Sequence, residues 1–383
     1  MKKFHVLTTA LAAAAFLAGC GGDSAGDQSP RVGFTQMVNF GDSLSDVGSY
    51  DVGVVKLQGG GHFSINGQGA TGLLYINWTE FLAATLKLSQ PCAAETGLTP
   101  FVGAVPIVGD ETPTFHDASN GGTCLNYAQG GSRVTLQPGP GNVALFHPTD
   151  PSTAGNALGA LTIPVHDQIQ NYLNHNGQAF SPSALVTVLA GANDVFVQTA
   201  TVTAEITAGM PQAQAVGGAI AAMTQAADDL ANDVNTMILA KGAAHVVVVN
   251  IPDASLTPSA ALSGAAGVGL TKQLVQTFNT ELAAKLQAGS SLLLVDAFTA
   301  SEDQATNKAQ YGLTDVTTSV CTSSSSLLCT KNTLIAAVAP AASGALASAA
   351  NTYEYADGVH PTPYGYRLLS ELVGEQLAIK GWL

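Results

Sequence analysis

Short apolar runs alternate along the chain with longer segments of helical periodicity. Five apolar runs predict buried strands: 36–41, 124–128, 185–190, 245–250 and 292–296. Five segments predict helices: 77–88, 166–174, 217–241, 269–288 and 363–379. Because strands and helices alternate from end to end and no linker divides them, we predict one doubly wound α/β domain, with a five-stranded parallel sheet and helices on both faces.

A serine follows the first predicted strand at a turn. The strand leads directly into the segment 41–46, Gly-Asp-Ser-Leu-Ser-Asp, in which Gly41 allows the backbone to turn sharply. A serine hydroxyl becomes a nucleophile when it is fixed at an exposed strand end within reach of a histidine, and Ser43 is the candidate. Gly-Asp-Ser is also ordinary turn chemistry, so this segment alone allows both interpretations.

Two later segments supply partners for that serine. The strand 185–190 ends in Gly-Ala-Asn-Asp, which places the Asn193 amide at the sheet edge where open parallel sheets bind ligands. Near the C-terminus, Asp357 precedes His360 by three residues, a spacing that lets the carboxylate orient the imidazole through Nδ1 and leaves Nε2 free. Taken singly, Asn-Asp is a common turn pair and Asp-x-x-His suits a helix N-cap.

A glycine pair forms a fourth element. The segment 126–132, Asn-Tyr-Ala-Gln-Gly-Gly-Ser, contains Gly130 and Gly131, which allow the backbone to present an N–H to a substrate oxygen; an ordinary Gly-Gly loop is the alternative. Together and in this order, the four segments resemble the SGNH, or GDSL, family of serine esterases and lipases. The resemblance spans roughly residues 36 to 380, and the continuation of the first block through Gly48 is similar to the secreted bacterial lipase and phospholipase branch.

The resemblance implies a role for each of these residues. Ser43 would be the nucleophile, His360 the base and Asp357 the group that orients the base. The oxyanion hole would consist of the Ser43 N–H, the Gly131 N–H and the Asn193 side chain. Gly131 is chosen over Gly130 because it lies five residues after Asn126, as in the second block of the family.

The fold and activity that the resemblance implies are a three-layer, flavodoxin-like SGNH hydrolase that cleaves carboxylic esters through an acyl-enzyme. Neither a cofactor nor a metal is expected. Alternatives on the same residues are deacetylation of a polysaccharide and acyl transfer to an alcohol; a non-catalytic, surface-binding lipoprotein is the alternative outside enzymes. The segments 256–270 and 333–350, rich in small residues, are either flaps over an acyl groove or surface helices.

The N-terminus predicts export. Residues 1–19 combine two lysines with an apolar stretch, which indicates a signal peptide. The ending Leu-Ala-Gly-Cys resembles a bacterial lipobox, which implies lipidation of Cys20 and a flexible tether over 20–33 before the domain at 34–383. We therefore expect an exported lipoprotein held by its lipid at a membrane, with the outer membrane as the expected one; plain secretion is the alternative.

The net charge and the cysteines indicate which partners and which compartment to expect. Loss of residues 1–19 removes two lysines and no acid, so the net charge changes from −14 to −16, which disfavours nucleic acid as a partner. The expected substrate, a small-molecule or lipid ester, is what the resemblance implies. Four cysteines remain after Cys20 in an oxidising compartment. Of the three possible connectivities we expect the local pairs Cys92–Cys124 and Cys321–Cys329, each closing an inserted loop. The sequence does not predict an oligomeric state.

Overall fold

The computed structural model describes residues 32–98, 101–102, 105–106, 113–147, 149–150, 153, 156–157, 159, 161–338 and 348–383. The predicted signal peptide, the predicted lipidation site at Cys20 and nearly all of the predicted tether lie outside the described residues. The strands are β1 (Gln36–Gly41), β2 (Glu95–Thr96), β3 (Phe101–Val102), β4 (Val105–Pro106), β5 (Thr114–Phe115), β6 (Ala184–Leu189), β7 (His245–Val249), β8 (Leu292–Val295), β9 (Asp315–Ser319) and β10 (Tyr353–Tyr355). The α-helices are α1 (Gly53–Leu57), α2 (Trp78–Thr85), α3 (Val165–His175), α4 (Ala192–Thr207), α5 (Gln212–Asp233), α6 (Pro258–Leu262), α7 (Gly264–Lys285), α8 (Ala297–Thr306) and α9 (Pro363–Lys380).

The central sheet is parallel, with the strand order β1-β6-β7-β8 in the described part of the chain. All six residues of β6 are buried, as expected for a strand with neighbours on both edges and helices on both faces. The predicted fold class, a doubly wound α/β domain with a parallel sheet, is confirmed. Four of the five predicted strands form this sheet.

The fifth predicted strand, 124–128, is corrected. It runs beside β1 but pairs through a single parallel bridge between Asn126 and Asn39, supported by the hydrogen bond from Tyr127 N to Asn39 O at 2.8 Å. Regular pairing stops at Gly41, because its N–H donates to the Gln168 side chain at 3.0 Å and not to this segment, although Gln129 N still donates to Gly41 O at 3.2 Å. The segment therefore keeps the edge position of a strand with a single bridge in place of a regular ladder.

Alternate residues of the strands enter two different cores. On one face, Val246 and Val248 pack in the cluster that contains apolar residues of α3, α4, α5 and α7. On the other face, Val247 and Val249 pack with Trp78 of α2 and with residues of α9. Helices therefore cover both faces, and the polar side chains of the site are restricted to the ends of the strands.

Helix prediction succeeded where the apolar period was long. The segments 77–88, 166–174, 269–288 and 363–379 correspond to α2, α3, α7 and α9, within a few residues. The helix predicted at 217–241 begins earlier, at Gln212, and its regular part ends at Asp233, before a π-helical turn, Val234–Ile238, and a 3-10 turn, Leu239–Lys241. The segment 256–270 holds α6 and the start of α7, whereas 333–350 is described only in part.

Two disulfides join Cys92 to Cys124 and Cys321 to Cys329, the predicted pairing. Both bonds fit a protein of an oxidising compartment. Within the residues that the structure describes, none of the helices has the length and apolar character needed to cross a bilayer.

Candidate active site

Three loops meet at the carboxyl end of the parallel sheet. Ser43 follows β1, Asn193 lies in the first turn of α4 directly after β6, and His360 lies between β10 and α9. The last loop is a tight return: Tyr355 and Pro361 form an antiparallel bridge, and Ala356 N donates to His360 O at 2.8 Å. The sheet edge thus brings together residues that are separated by more than 300 positions, such as Ser43 and His360.

A continuous hydrogen-bonded chain links the serine, the histidine and the aspartate. His360 Nε2 lies 2.8 Å from Ser43 Oγ, and His360 Nδ1 lies 2.8 Å from Asp357 Oδ2. Ser43 is 8 % exposed, so its hydroxyl is held at the surface of the cleft and not in bulk water. The arrangement can transfer the hydroxyl proton to the imidazole, whose other nitrogen faces a carboxylate.

The Asp357 carboxylate is fully engaged. Its Oδ1 accepts from Val359 N at 2.9 Å and from His360 N at 2.8 Å, and its Oδ2 accepts from Ser326 N at 2.6 Å. Burial raises the pKa of this carboxyl, but the positive charge and hydrogen bond of His360, together with the backbone donors, outweigh burial and hold the pKa below its usual value. Asp357 is therefore ionised at neutral pH.

The turn that carries Ser43 is held from behind by Gln168, a fully buried amide of α3. Its Oε1 accepts from Gly41 N at 3.0 Å, while its Nε2 donates to Gly41 O at 2.9 Å and to Ser132 Oγ at 3.0 Å. Only glycine fits at position 41, because a Cβ there would lie 2.3 Å from Leu189 O. Gln168 thus joins the Ser43 turn to the loop that contains Gly131.

The side-chain amide of Asn193, at the start of α4, lies beside Ser43. Its Nδ2 donates one N–H to Ser132 O at 2.9 Å, which leaves the second N–H of that amide available to a ligand. The neighbouring Asp194 forms a buried ion pair with Arg133, Nε to Oδ1 at 2.9 Å, and accepts from Val134 N at 3.0 Å. These bonds fasten the start of α4 to the loop after Gly131.

Another buried carboxyl, that of Asp42, lies beside the candidate nucleophile. Its Oδ1 accepts from Leu44 N at 3.0 Å, and its Oδ2 is buried without a hydrogen-bond partner among the described residues. Burial raises the pKa of Asp42 to about 7, although the Leu44 N–H and the charge of His360 act in the opposite direction.

Two cavities open on either side of Ser43. The narrow cavity, of about 90 Å³, is bounded by residues that include Leu44, Ile251, Ala297, Glu354 and Leu369. The wide cleft, of about 690 Å³, is bounded by residues that include Tyr50, Phe63, Gly131, Leu145 and Leu328. Residues that line both are Ser43, Asn193, Phe196, Val359 and His360.

The sequence-predicted residues Ser43, Gly131, Asn193, Asp357 and His360 are all brought to this one place, and their catalytic roles stay predictions. Sequence reasoning missed the residues that hold them: Gln168, Tyr50, Ser326 and the Arg133–Asp194 pair. Apart from Asp194, which ends the Gly-Ala-Asn-Asp segment, none of these lies in a motif of the sequence. The described residues contain no group of three or more His, Cys, Asp or Glu side chains placed to hold a metal ion.

Comparison with known proteins assigns the chain to a family. A search of the curated proteins returns no match. The model of the GDSL-like lipase/acylhydrolase family matches residues 37–373, nearly the whole chain. The match includes the Ser43 turn, the Gly131 loop, Asn193 and the Asp357–His360 loop. The chain therefore belongs to the GDSL-like lipase/acylhydrolase family, a family of hydrolases that act on esters.

Proposed function

We propose that this protein is a carboxylic-ester hydrolase that works through an acyl-enzyme on Ser43. The observation that carries the proposal is the 2.8 Å contact between His360 Nε2 and Ser43 Oγ, with Asp357 bonded to the opposite ring nitrogen at 2.8 Å. A serine with a base and an orienting carboxylate is the arrangement that activates a hydroxyl at neutral pH. The proposed reaction uses no cofactor.

The reaction proceeds in two halves. Ser43 Oγ attacks the ester carbonyl while His360 Nε2 takes its proton; the imidazolium then protonates the departing alcohol, and Ser43 keeps the acyl group. Water enters, His360 removes its proton, and the acyl-enzyme is hydrolysed to the free acid. The ionised Asp357 stabilises the imidazolium in both halves, in agreement with the pKa held below its usual value.

Three donors are proposed to stabilise the negative oxygen of each tetrahedral intermediate. They are the Ser43 N–H, the Gly131 N–H and the second N–H of the Asn193 amide. Because the surrounding loops fix these groups before substrate arrives, they need no reorganisation when charge develops. The bond from Asn193 Nδ2 to Ser132 O and the Gln168 bridge support this preorganisation.

The two cavities give the two arms of an ester separate places. We propose that the arm in the narrow cavity is the smaller and the arm in the wide cleft the larger, since the two volumes are about 90 Å³ and about 690 Å³. A series of esters in which either the acyl or the alcohol arm is lengthened, tested beside a phospholipid and an acetylated glycan, assigns each arm to its cavity. Addition of an acceptor alcohol to the same assay measures acyl transfer against hydrolysis.

The nucleophile is tested with a fluorophosphonate probe and a chromogenic ester. Wild-type protein should be labelled and active, and Ser43→Ala should be neither, with an unchanged melting temperature. Ser119→Ala, at an exposed serine outside both cavities, is the matched control and should keep both properties. Labelling or hydrolysis that survives in Ser43→Ala would refute the proposal and favour a binding protein or another nucleophile.

We further propose that a lipid on Cys20 holds the domain at the outer membrane. The support is the Leu17–Cys20 ending of the N-terminal apolar stretch, followed by a polar tether. Cys20→Ser should accumulate as unacylated precursor. A variant that still enters the detergent phase with a processed, acylated N-terminus would refute the anchor and leave the enzymatic proposal intact.

A further inference from the structure

The two peptides that flank Gly130 are each held by a side chain from the loop after the candidate nucleophile. The phenol O–H of Tyr50 donates to Gly130 O at 3.0 Å. On the other side of the same residue, Gly130 N donates to Asp46 Oδ2 at 2.9 Å. Tyr50 is 2 % exposed and Asp46 is fully buried, so both bonds are shielded from water.

The orientation of the Gly130 carbonyl determines the orientation of the Gly131 N–H. In a trans peptide the carbonyl oxygen of residue 130 and the N–H of residue 131 point in opposite directions. Because the Gly130 carbonyl points to Tyr50, the Gly131 N–H points away from Tyr50. Gly131 lines the wide cleft beside Ser43, and its N–H has no hydrogen-bond partner among the described residues.

Glycines would otherwise leave this peptide free to rotate. Gly131 has a φ of +86°, a region that side-chain-bearing residues rarely adopt. Gly130 lies between two rings: a Cβ there would be 2.2 Å from the Phe63 ring and 3.1 Å from the Tyr50 ring. A rotated peptide would turn the Gly130 carbonyl into the cleft, where its partial negative charge would repel a developing oxyanion.

We propose that Tyr50 is a positioning residue for the oxyanion hole, whose phenol holds the Gly130 carbonyl back and so aims the Gly131 N–H at the reacting oxygen. The inference rests on the proposed function, since it needs Gly131 to be an oxyanion donor. Tyr50 acts through this peptide and does not touch the reacting atoms. Its ring packs edge-on against Phe63, with centroids 5.9 Å apart, and Phe63 in turn lies 5.0 Å from the His360 ring.

The test uses Tyr50→Phe, which keeps the ring and its packing and removes only the hydroxyl. We expect kcat on a simple ester to fall about tenfold, less than for removal of a donor itself, while KM changes by less than about twofold. Binding of a trifluoromethyl ketone, whose adduct with a serine carries an oxyanion, should weaken by the same factor as kcat/KM. Tyr127→Phe, which removes a buried phenol bond to Asp117 outside the site, is the control and should keep wild-type kcat.

Each result decides one question. A folded Tyr50→Phe enzyme with wild-type kcat, or with a raised KM and unchanged kcat, would overturn the positioning role. If hydrolysis by wild-type protein does not depend on Ser43, the proposed function fails instead. The Tyr50 contact is then judged by the amide ¹⁵N signal of Gly131, which must shift in Tyr50→Phe because it reports hydrogen bonding at the preceding carbonyl; an unmoved signal would refute the contact.

Discussion

The backbone N–H of Ser326 donates to Asp357 Oδ2 at 2.6 Å. Ser326 lies in the loop that the Cys321–Cys329 disulfide closes, so an inserted loop supplies one of the hydrogen bonds that hold the carboxylate proposed to orient His360. Asn66 strengthens the same loop: its Nδ2 donates to Ser326 O at 3.1 Å and to Cys329 O at 3.0 Å. The second disulfide, Cys92–Cys124, has no such contact with Asp357.

The two disulfides should therefore have different effects when removed. Replacing Cys321 and Cys329 by serine opens a loop of sequence separation 8 and should cost about 3 kcal/mol of unfolding free energy. It should also lower kcat, because the Ser326 donor is released. Replacing Cys92 and Cys124 by serine opens a loop of sequence separation 32 and should cost about 4 kcal/mol of unfolding free energy. We expect little change in kcat for the folded fraction. Urea unfolding and ester kinetics on both double variants decide this; equal kcat would contradict it.

Asp357→Asn should remove activity without unfolding the protein. The amide has one oxygen for donors that now use two carboxylate oxygens, and its N–H₂ favours the wrong tautomer of His360. We expect kcat to fall roughly 10²- to 10⁴-fold with the melting temperature nearly unchanged. Steady-state kinetics beside a thermal melt provide the measurement. Retention of more than half the wild-type kcat would remove Asp357 from the mechanism.

The residues at the centre of the site could be predicted because each lies in a short motif directly after a buried strand or before a helix. Asp357 and His360, three positions apart, needed only local reasoning. The supporting contacts could not be predicted in this way. Gln168 bonds to Gly41 across 127 positions and Tyr50 bonds to Gly130 across 80, and a single sequence contains no signal for such pairs.

The errors in the predicted fold also have local causes. The apolar run at 124–128 has strand composition and lies beside β1, yet the N–H of Gly41 donates to Gln168 instead of continuing the pairing. Helix α4 was not predicted because the Asn193 motif was interpreted as a strand end that presents the Asn193 amide, with a turn as the alternative, although a turn and a helix start share Asx and glycine chemistry. The long helix at 212–233 was found because its apolar period is sustained, but its end was misplaced across the π-helical turn.

Asn193→Ala tests the side-chain donor of the oxyanion hole. Loss of one such donor typically lowers kcat by ~10² to 10³, equivalent to about 2.7 to 4 kcal/mol, with little effect on KM, because the bond forms only as charge develops. Asn235→Ala is the control: its amide bonds Lys285 O and Gln287 N at another part of the molecule, so we expect lower stability and unchanged kcat. Near wild-type kcat in folded Asn193→Ala would leave Ser43 and His360 in place and refute the proposed hole.

The pH dependence of stability should carry the signature of a buried carboxyl, that of Glu354. Burial raises its pKa from 4.5 to about 7, and its Oε2 has no hydrogen-bond partner among the described residues. The folded protein therefore binds the proton more tightly than the unfolded chain, and the stability present below pH 4.5 is lost as pH rises through 7. The loss from this group is of the order of 1 to 3 kcal/mol.

Glu354→Gln cannot ionise and should remove that loss. We expect the variant to match wild type near pH 4.5 and to exceed it in unfolding free energy at pH 8, while a smaller decline remains because burial also raises the pKa of Asp42 to about 7. Urea unfolding at pH 5, 6, 7 and 8 provides the measurement, with Glu371→Gln on an exposed face of α9 as the control. If the unfolding free energies of wild type and Glu354→Gln change with pH in parallel, the prediction is wrong. Glu354 would then be ionised in the folded protein, because over this pH range the two curves separate when the carboxyl takes up a proton on folding.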